Sequence, residues 1–187
     1  MRAWLNSTCW PTMIDRLSGQ DADLIIENRW PYAYNEDKIS DSARHHREEV
    51  AGALSTQAAP HLKKAHREAT DNNEGIFAQA SATKTLEHLR IVDDATRRHL
   101  DVADQLDAFA GAVTSSKQRI NDAVHTFTSD WAKAPQLARA NNWYQHDLNR
   151  YRTQLVDTGR ATVTRALSDL TEAHNQCSTA LQTALDQ

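Results

Sequence analysis

Residues 103–131 read ADQLDAFAGAVTSSKQRINDAVHTFTSDW, and this stretch carries the clearest helical period in the chain. Its apolar side chains recur at alternating steps of three and four residues, which is the a/d seam of a heptad repeat. Lys117 is the polar member of the seam. It is either a device that fixes the helix register or a side chain that reaches the edge of the packing. The seam positions are Ala103, Leu106, Ala110, Val113, Lys117, Ile120, Val124, Phe127 and Trp131.

This pattern predicts a long helix from about residue 83 to residue 134. Pro135 is expected to end it, because proline has no N–H group for the helical hydrogen-bond ladder. A turn at Asn141 and Asn142 should follow. The last apolar stripe then predicts a C-terminal helix, which Gly159 weakens in its middle.

The rest of the chain divides into segments with different helical signals. Residues 1–34 form a Trp-rich N-terminal segment with short helices, one around Met13, Ile14 and Leu17 and one around residues 23–26. Residues 35–134 form a helical hairpin with its turn at 71–75. Residues 135–187 supply the C-terminal helix, which packs on the hairpin.

Particular residues mark the hairpin. Asn35 is a good N-cap for its first helix, and Pro60 is expected to kink or break that helix. Asn73, Glu74 and Gly75 form the turn, because asparagine and glycine tolerate the left-handed backbone conformation. The predicted fold is therefore all-α: an elongated antiparallel helical bundle with a long helix–turn–helix hairpin.

Composition and charge narrow the function class. The chain has 187 residues with only 5 Gly and 4 Pro, too few for an all-β protein. Its net charge is −4, and its one basic stretch, residues 61–67, is short and followed by acid. We expect a solvated helix face there and no nucleic-acid partner. No apolar run is long enough for a transmembrane segment. Cys9 and Cys177 are expected to be free thiols, with Cys177 buried.

No constellation in the sequence points to catalysis. The glycines are isolated, so there is no phosphate-binding loop, and the carboxylates lie on polar helix faces. His45 and Glu49 are four residues apart on one helix face. A helical metal site would need further ligands from other helices, and no such pattern is present. We therefore predict no catalytic residue, no cofactor and no metal, and a protein that binds rather than catalyses.

Several stretches resemble the WXG-type helical-hairpin domains of actinobacterial type VII secretion substrates, especially the larger members that form N-terminal domains of secreted toxins. Trp30-Pro31, followed by residues 35–39 and Ala43, resembles their first-helix opening. Asn73-Glu74-Gly75-Ile76-Phe77 stands where their Trp-x-Gly turn is expected, with Asn73 in place of the tryptophan. The second helix of the family is matched by residues 104–107, Ala110, Ala112-Val113 and residues 117–120.

The resemblance implies a non-catalytic export, delivery or scaffold module of type VII secretion, as found at the front of larger secreted toxins. Such a module pairs with a partner hairpin or with itself and leaves the cell without a signal peptide. Tyr32 and Glu36 match the letters of the family's Tyr-x-x-x-Asp/Glu export motif, although they precede the hairpin. The candidate pairing face consists of Leu106, Val113, Ile120, Val124, Phe127 and Trp131. The alternative is a cytoplasmic helical adaptor, such as a chaperone or an immunity-type protein.

Overall fold

The computed structural model describes residues 13–71 and 75–186, and this part of the chain is all-α, as predicted, with no β-strand. Helical backbone also runs between α2 and α3, where two stretches have the wider π-helical winding, His45–Ala51 and Leu54–Ala58. The α-helices are α1 (Gln20–Ile26), α2 (Glu36–Arg44), α3 (Ala59–Asp71), α4 (Ile76–Ala140) and α5 (Gln145–Asp186).

Contacts divide the chain into two compact units. Unit 1 comprises Met1–Asp37 and Ala110–His174, and unit 2 comprises Lys38–Phe109 and Asn175–Gln187. Each unit contains an antiparallel helix pair joined by a short connection. The boundaries of the three predicted segments, which follow the order of the sequence, stay a prediction.

The prediction that Pro135 ends the long helix is wrong, because α4 continues to Ala140 with Pro135 in its interior. A proline inside a helix costs about 3 kcal/mol through a lost hydrogen bond and a clash with the preceding turn. Here the flanking turn is held by tertiary packing, since Ala134 is buried and Trp131 packs against the core. The predicted turn follows α4, with Asn142 in the left-handed region at φ 53°.

Pro60 changes the helix type without ending the helical path. It is the second residue of α3, which begins directly after the π-helical stretch Leu54–Ala58. Because helical backbone precedes Pro60, its missing N–H group removes one hydrogen bond of the helical ladder there, and the winding changes at this point without a break. The interruption predicted at this proline is therefore a change of winding.

The predicted short helix around Ile14 and Leu17 is wrong, since residues 13–18 are not helical. Their N–H groups bond to distant side chains instead. Ile14 donates to Glu36 Oε1 at 2.6 Å, and Leu17 donates to Asn121 Oδ1 at 3.2 Å. These acceptors lie 22 and 104 residues away, so a local period cannot reveal them.

The second predicted short helix is present as α1, and it supplies large side chains to the core of unit 1. Ile25 and Ile26 are fully buried there, and Trp30 follows from the connection after α1. Each fully buried side chain of this size stabilises the fold by about 1.5–3 kcal/mol. The other buried members come from α1, α4 and α5: Ala22, Ile120, Ala123, Val124, Phe127, Val163 and Ala166.

Gly159 lets α1 approach α5 closely. A Cβ added at Gly159 would lie 2.9 Å from Ile25 Cδ1 and 3.1 Å from Ile25 Cγ2. Ile25 is fully buried, so its side chain cannot move out into solvent to make room. The glycine that weakens α5 locally therefore serves the packing of α1.

A matched pair of substitutions tests this close approach. Gly159→Ala should lower the free energy of unfolding by about 1 kcal/mol or more, because overpacking outweighs the gain in helix propensity. Gly111→Ala should raise it by about 0.5–1 kcal/mol, since nothing lies within 4 Å of a Cβ added there. Urea unfolding measures both variants. Equal effects of the two would contradict the packing role of Gly159.

Candidate partner-binding site

The hairpin of unit 2 is formed by α3 and its preceding π-helical stretches on one side and residues 76–109 of α4 on the other. Arg47 joins the two sides, donating to Asp104 Oδ1 and Asp107 Oδ2 at 2.7 Å each. Near the turn, His66 Nδ1 lies 3.2 Å from the carbonyl oxygen of Ala82. The two sides therefore run antiparallel, as the hairpin prediction requires.

The turn of this hairpin is described only at its end. Asn73 and Glu74 lie outside the described residues. Gly75 has φ 105°, a conformation that favours glycine. Its carbonyl oxygen accepts a hydrogen bond from Gln79 N–H at 3.2 Å. Gly75 thus begins the first turn of α4.

The core of the hairpin consists largely of alanine. Small side chains let two helices approach closely, but they remove little apolar surface from water. Leu89 and Val92, by which the seam of α4 extends backwards, are only partly buried. The buried alanines of unit 2 are Ala43, Ala51, Ala59, Ala69 and Ala103.

Large apolar side chains of α4 remain outside this core. Phe77 is 91% exposed and Ile76 is 83% exposed, directly after the turn. We call the full group the exposed apolar set of α4. Its members are Ile76, Phe77, Leu86, Ile91 and Leu100.

The last turns of α5 lie beside part of the same helix. Residues 98–105 of α4 and the α5 residues Ala180, Thr183 and Ala184 line a shallow groove. Of the exposed apolar set, Leu100 lies within this stretch of α4. Exposed large apolar groups on a helix are typical of a surface that packs against another helix. The exposed apolar set is therefore our candidate partner-binding site.

The predicted pairing face lies mainly elsewhere. Five of its six members belong to unit 1, and only Leu106 belongs to unit 2, where it is partly buried. Trp131 is partly buried and has the Arg152 guanidinium 5.6 Å from its ring centre. The other members are buried within the chain: Val113, Ile120, Val124 and Phe127. Pairing of this face with a second chain stays a prediction.

Leu86 and Ile91 were missed by the sequence reasoning because they do not fall on the heptad seam. A search for apolar residues at alternating steps of three and four does not select residues outside that series. Their position off the seam, as large apolar side chains among charged neighbours, is the signal that could have identified them.

Glu36 and Lys117 form a buried ion pair in unit 1. Lys117 Nζ lies 2.6 Å from Glu36 Oε2, and the side chains are 2% and 3% exposed respectively. Lys117 also lies 5.9 Å from the centre of the Trp30 ring. The seam lysine therefore does not reach the edge of the packing, and its role as a register device is the alternative that remains.

The carboxyl of Glu36 is held in its charged form. Burial alone would raise its pKa. Hydrogen bonds from Lys117 and from backbone N–H groups, including that of Ile14, together with the ammonium charge, outweigh burial and lower the pKa below 4.5.

The candidate export motif is divided between surface and core. Tyr32 is 75% exposed, whereas Glu36 is buried in the ion pair with Lys117. In this fold a receptor could contact the tyrosine but not the carboxylate. The use of Tyr32 and Glu36 as an export signal stays a prediction, and the burial of Glu36 argues against it.

The remaining residues that could bind a metal or react chemically include the pair His45 and Glu49 and the two cysteines. His45 Nδ1 and Glu49 Oε2 are 2.8 Å apart on an exposed helix face. Across residues 13–71 and 75–186, no three His, Cys, Asp or Glu side chains converge so as to hold a metal ion. Cys177 is a free, buried thiol, as predicted, and burial raises its pKa. Cys9 lies outside the described residues.

The described residues form an all-α protein whose unit 2 hairpin has a core made mostly of alanine. Among the described helices, none is both long and apolar enough to span a membrane. Comparisons of the chain with protein-family models, with curated proteins and with solved structures find no significant match.

Proposed function

We propose that this chain is a non-catalytic helical domain whose unit 2 hairpin binds a helical hairpin of a partner protein. One observation carries the proposal: large apolar side chains of α4, foremost Phe77 and Ile76, are exposed beside a core made mostly of alanine. A pair of helices buries little of such side chains by itself, whereas two further helices would complete a four-helix arrangement that covers more of them.

We further propose that this pairing serves type VII secretion, with the domain acting as an export, delivery or scaffold module, such as the front of a larger secreted toxin. The hairpin with its Gly75 turn supports this proposal, together with the resemblance of the neighbouring stretches. The mechanism is helix pairing: the exposed apolar set covers the partner's apolar face, and the folded pair is exported together.

An export assay tests the secretion proposal. The full gene is expressed in an actinobacterial host with and without a working type VII system, and culture filtrate and lysate are probed. System-dependent appearance in the filtrate is expected. Retention in the lysate of both strains, with a clean lysis control, would contradict secretion.

The double substitution Leu86→Asp/Ile91→Asp tests the binding surface separately. Both side chains are exposed, so folding stability should change by no more than about 0.5 kcal/mol per site. Partner binding should be lost, because two charges would be buried without partners. The measurement is the native mass of protein purified from the same cells, in which wild type should carry a stoichiometric partner.

Ala108→Asp is the matched control, since Ala108 is an exposed residue of α4 outside the exposed apolar set. It should keep the partner. A double variant that still carries its partner would refute this surface whatever the export assay gives. A complex of two identical chains would identify the partner as a second copy.

The alternative function is a cytoplasmic adaptor that sequesters a partner through the same surface. The burial of Glu36 favours this alternative, because the carboxylate of the candidate export motif faces Lys117 rather than solvent. An adaptor would keep its partner in the lysate of both strains.

A further inference from the structure

His46 and His99 form a direct contact between the two sides of the unit 2 hairpin. His46 belongs to the π-helical stretch His45–Ala51, and His99 belongs to α4. Their Nδ1 atoms are 2.8 Å apart, and the ring centres are 5.1 Å apart with an angle of 26° between the ring planes, so the two rings meet edge to edge through these nitrogens. At this distance one Nδ1 must carry a hydrogen and the other must accept it.

The contact tolerates one extra proton but not two. A neutral pair, or a pair with one charged ring, still has an accepting Nδ1. When both rings are charged, both Nδ1 atoms are donors and two like charges face each other in a partly buried site.

Few charges are placed to compensate the second proton. On α4, the residues one turn from His99 on its own face are uncharged: Ala95, Thr96, Val102 and Ala103. On the other side, Glu49 is bonded to His45, Arg44 to Asp41, and Arg47 to Asp104 and Asp107. In the last turns of α5 the charged residue is Asp186, which is exposed.

We propose that the His46–His99 contact is an acid-sensitive link of the unit 2 hairpin, which releases the π-helical stretch from α4 when both rings are protonated. The inference does not depend on the proposed function.

The direction of the pH effect follows from His46. Burial first, and then the charges of His99 and His45, lower its pKa below the ordinary value of 6.5. The unfolded chain therefore binds more protons than the folded chain near that pH. Stability is full above about pH 6.5 and falls as the pH drops through the unfolded pKa towards the lower folded one.

The test compares wild type with His46→Gln/His99→Gln at pH 7.5 and 5.0. Between these pH values the folded-to-unfolded ratio of wild type should fall about five- to tenfold more than that of the variant, the effect of one lost, partly buried hydrogen bond. His61→Gln, at an exposed histidine of α3, should behave like wild type.

Hydrogen exchange of wild type keeps the test decisive if the double variant does not fold. Amides of residues 43–51 and 95–107 should lose protection at pH 5.0, after correction for intrinsic rates, while residues 120–127 of unit 1 keep theirs. Equal pH dependence of wild type and the double variant would overturn the proposal. So would unchanged protection of residues 43–51 at pH 5.0.

Discussion

Replacing Glu36 with alanine is expected to lower the free energy of unfolding by about 3–5 kcal/mol, the cost of leaving a buried charge without its partner. Lys117, whose side chain is 2% exposed, would lose the carboxylate that lies 2.6 Å from its Nζ. The Ile14 N–H group would also lose its acceptor. Urea unfolding followed by circular dichroism measures the change.

A variant that removes both charges distinguishes the ion pair from general damage. Glu36→Gln/Lys117→Met should be considerably more stable than Glu36→Ala, because removing both charges removes the desolvation penalty as well. Glu48→Ala changes an exposed acid on the neighbouring π-helical stretch and should cost no more than about 0.5 kcal/mol. If Glu36→Ala is as mild as Glu48→Ala, the pair does not stabilise the fold.

The same carboxyl contributes to the acid sensitivity of unit 1. Because the pKa of Glu36 is lower in the folded chain than in the unfolded chain, the unfolded state takes up the proton first. The contribution of this carboxyl is full above its ordinary value of 4.5 and is lost as the pH falls through the lower folded pKa. This range begins at a lower pH than the one expected for His46, because the ordinary carboxyl value of 4.5 lies below the ordinary imidazole value of 6.5.

The second large effect is expected from Phe127→Asp, which should prevent unit 1 from folding. Phe127 is 2% exposed and belongs to the cluster that contains Ile25 and Trp30. Truncating such a side chain to alanine costs about 3–5 kcal/mol, and a buried unpaired carboxylate adds to that cost. Near-ultraviolet circular dichroism should lose its tryptophan bands.

Phe77→Asp is the matched control, because Phe77 belongs to unit 2 and is 91% exposed. It should leave helicity and melting temperature unchanged. Phe127→Asp would contradict the role of Phe127 if it kept the helicity, melting temperature and partner binding of wild type.

The sequence predicted the helices whose apolar residues recur at a regular local spacing. The seam through Val113, Ile120 and Phe127 does belong to a long helix, because burial of one face imposes the same period on the residues. The turn at Asn142 was also predictable from the local sequence, because asparagine tolerates the left-handed backbone conformation. The extension past Pro135 was not, since the packing of Trp131 and Ala134 comes from elsewhere in the chain.

Other features depend on contacts between residues that are far apart in the sequence, and a local pattern cannot predict such contacts. The partner of Lys117 is Glu36, which lies 81 residues away, and no local rule selects it from the other carboxylates. The exposure of Leu86 and Ile91 requires knowing which face of α4 the first side of the hairpin covers. Gly159 was read as a local weakness because its neighbour Ile25 comes from a distant part of the chain.

The division of the chain has a consequence for synthesis on the ribosome. Unit 2 is built mostly from the continuous stretch Lys38–Phe109, whereas unit 1 joins Met1–Asp37 to Ala110–His174. The hairpin can therefore form while the chain is still growing, but the N-terminal segment must wait for α5 before its core can close. Contacts between such distant segments form slowly because of the entropy of loop closure. During that interval Ile25, Ile26 and Trp30 belong to an unfinished, apolar nascent segment, which is the kind of surface that chaperones protect.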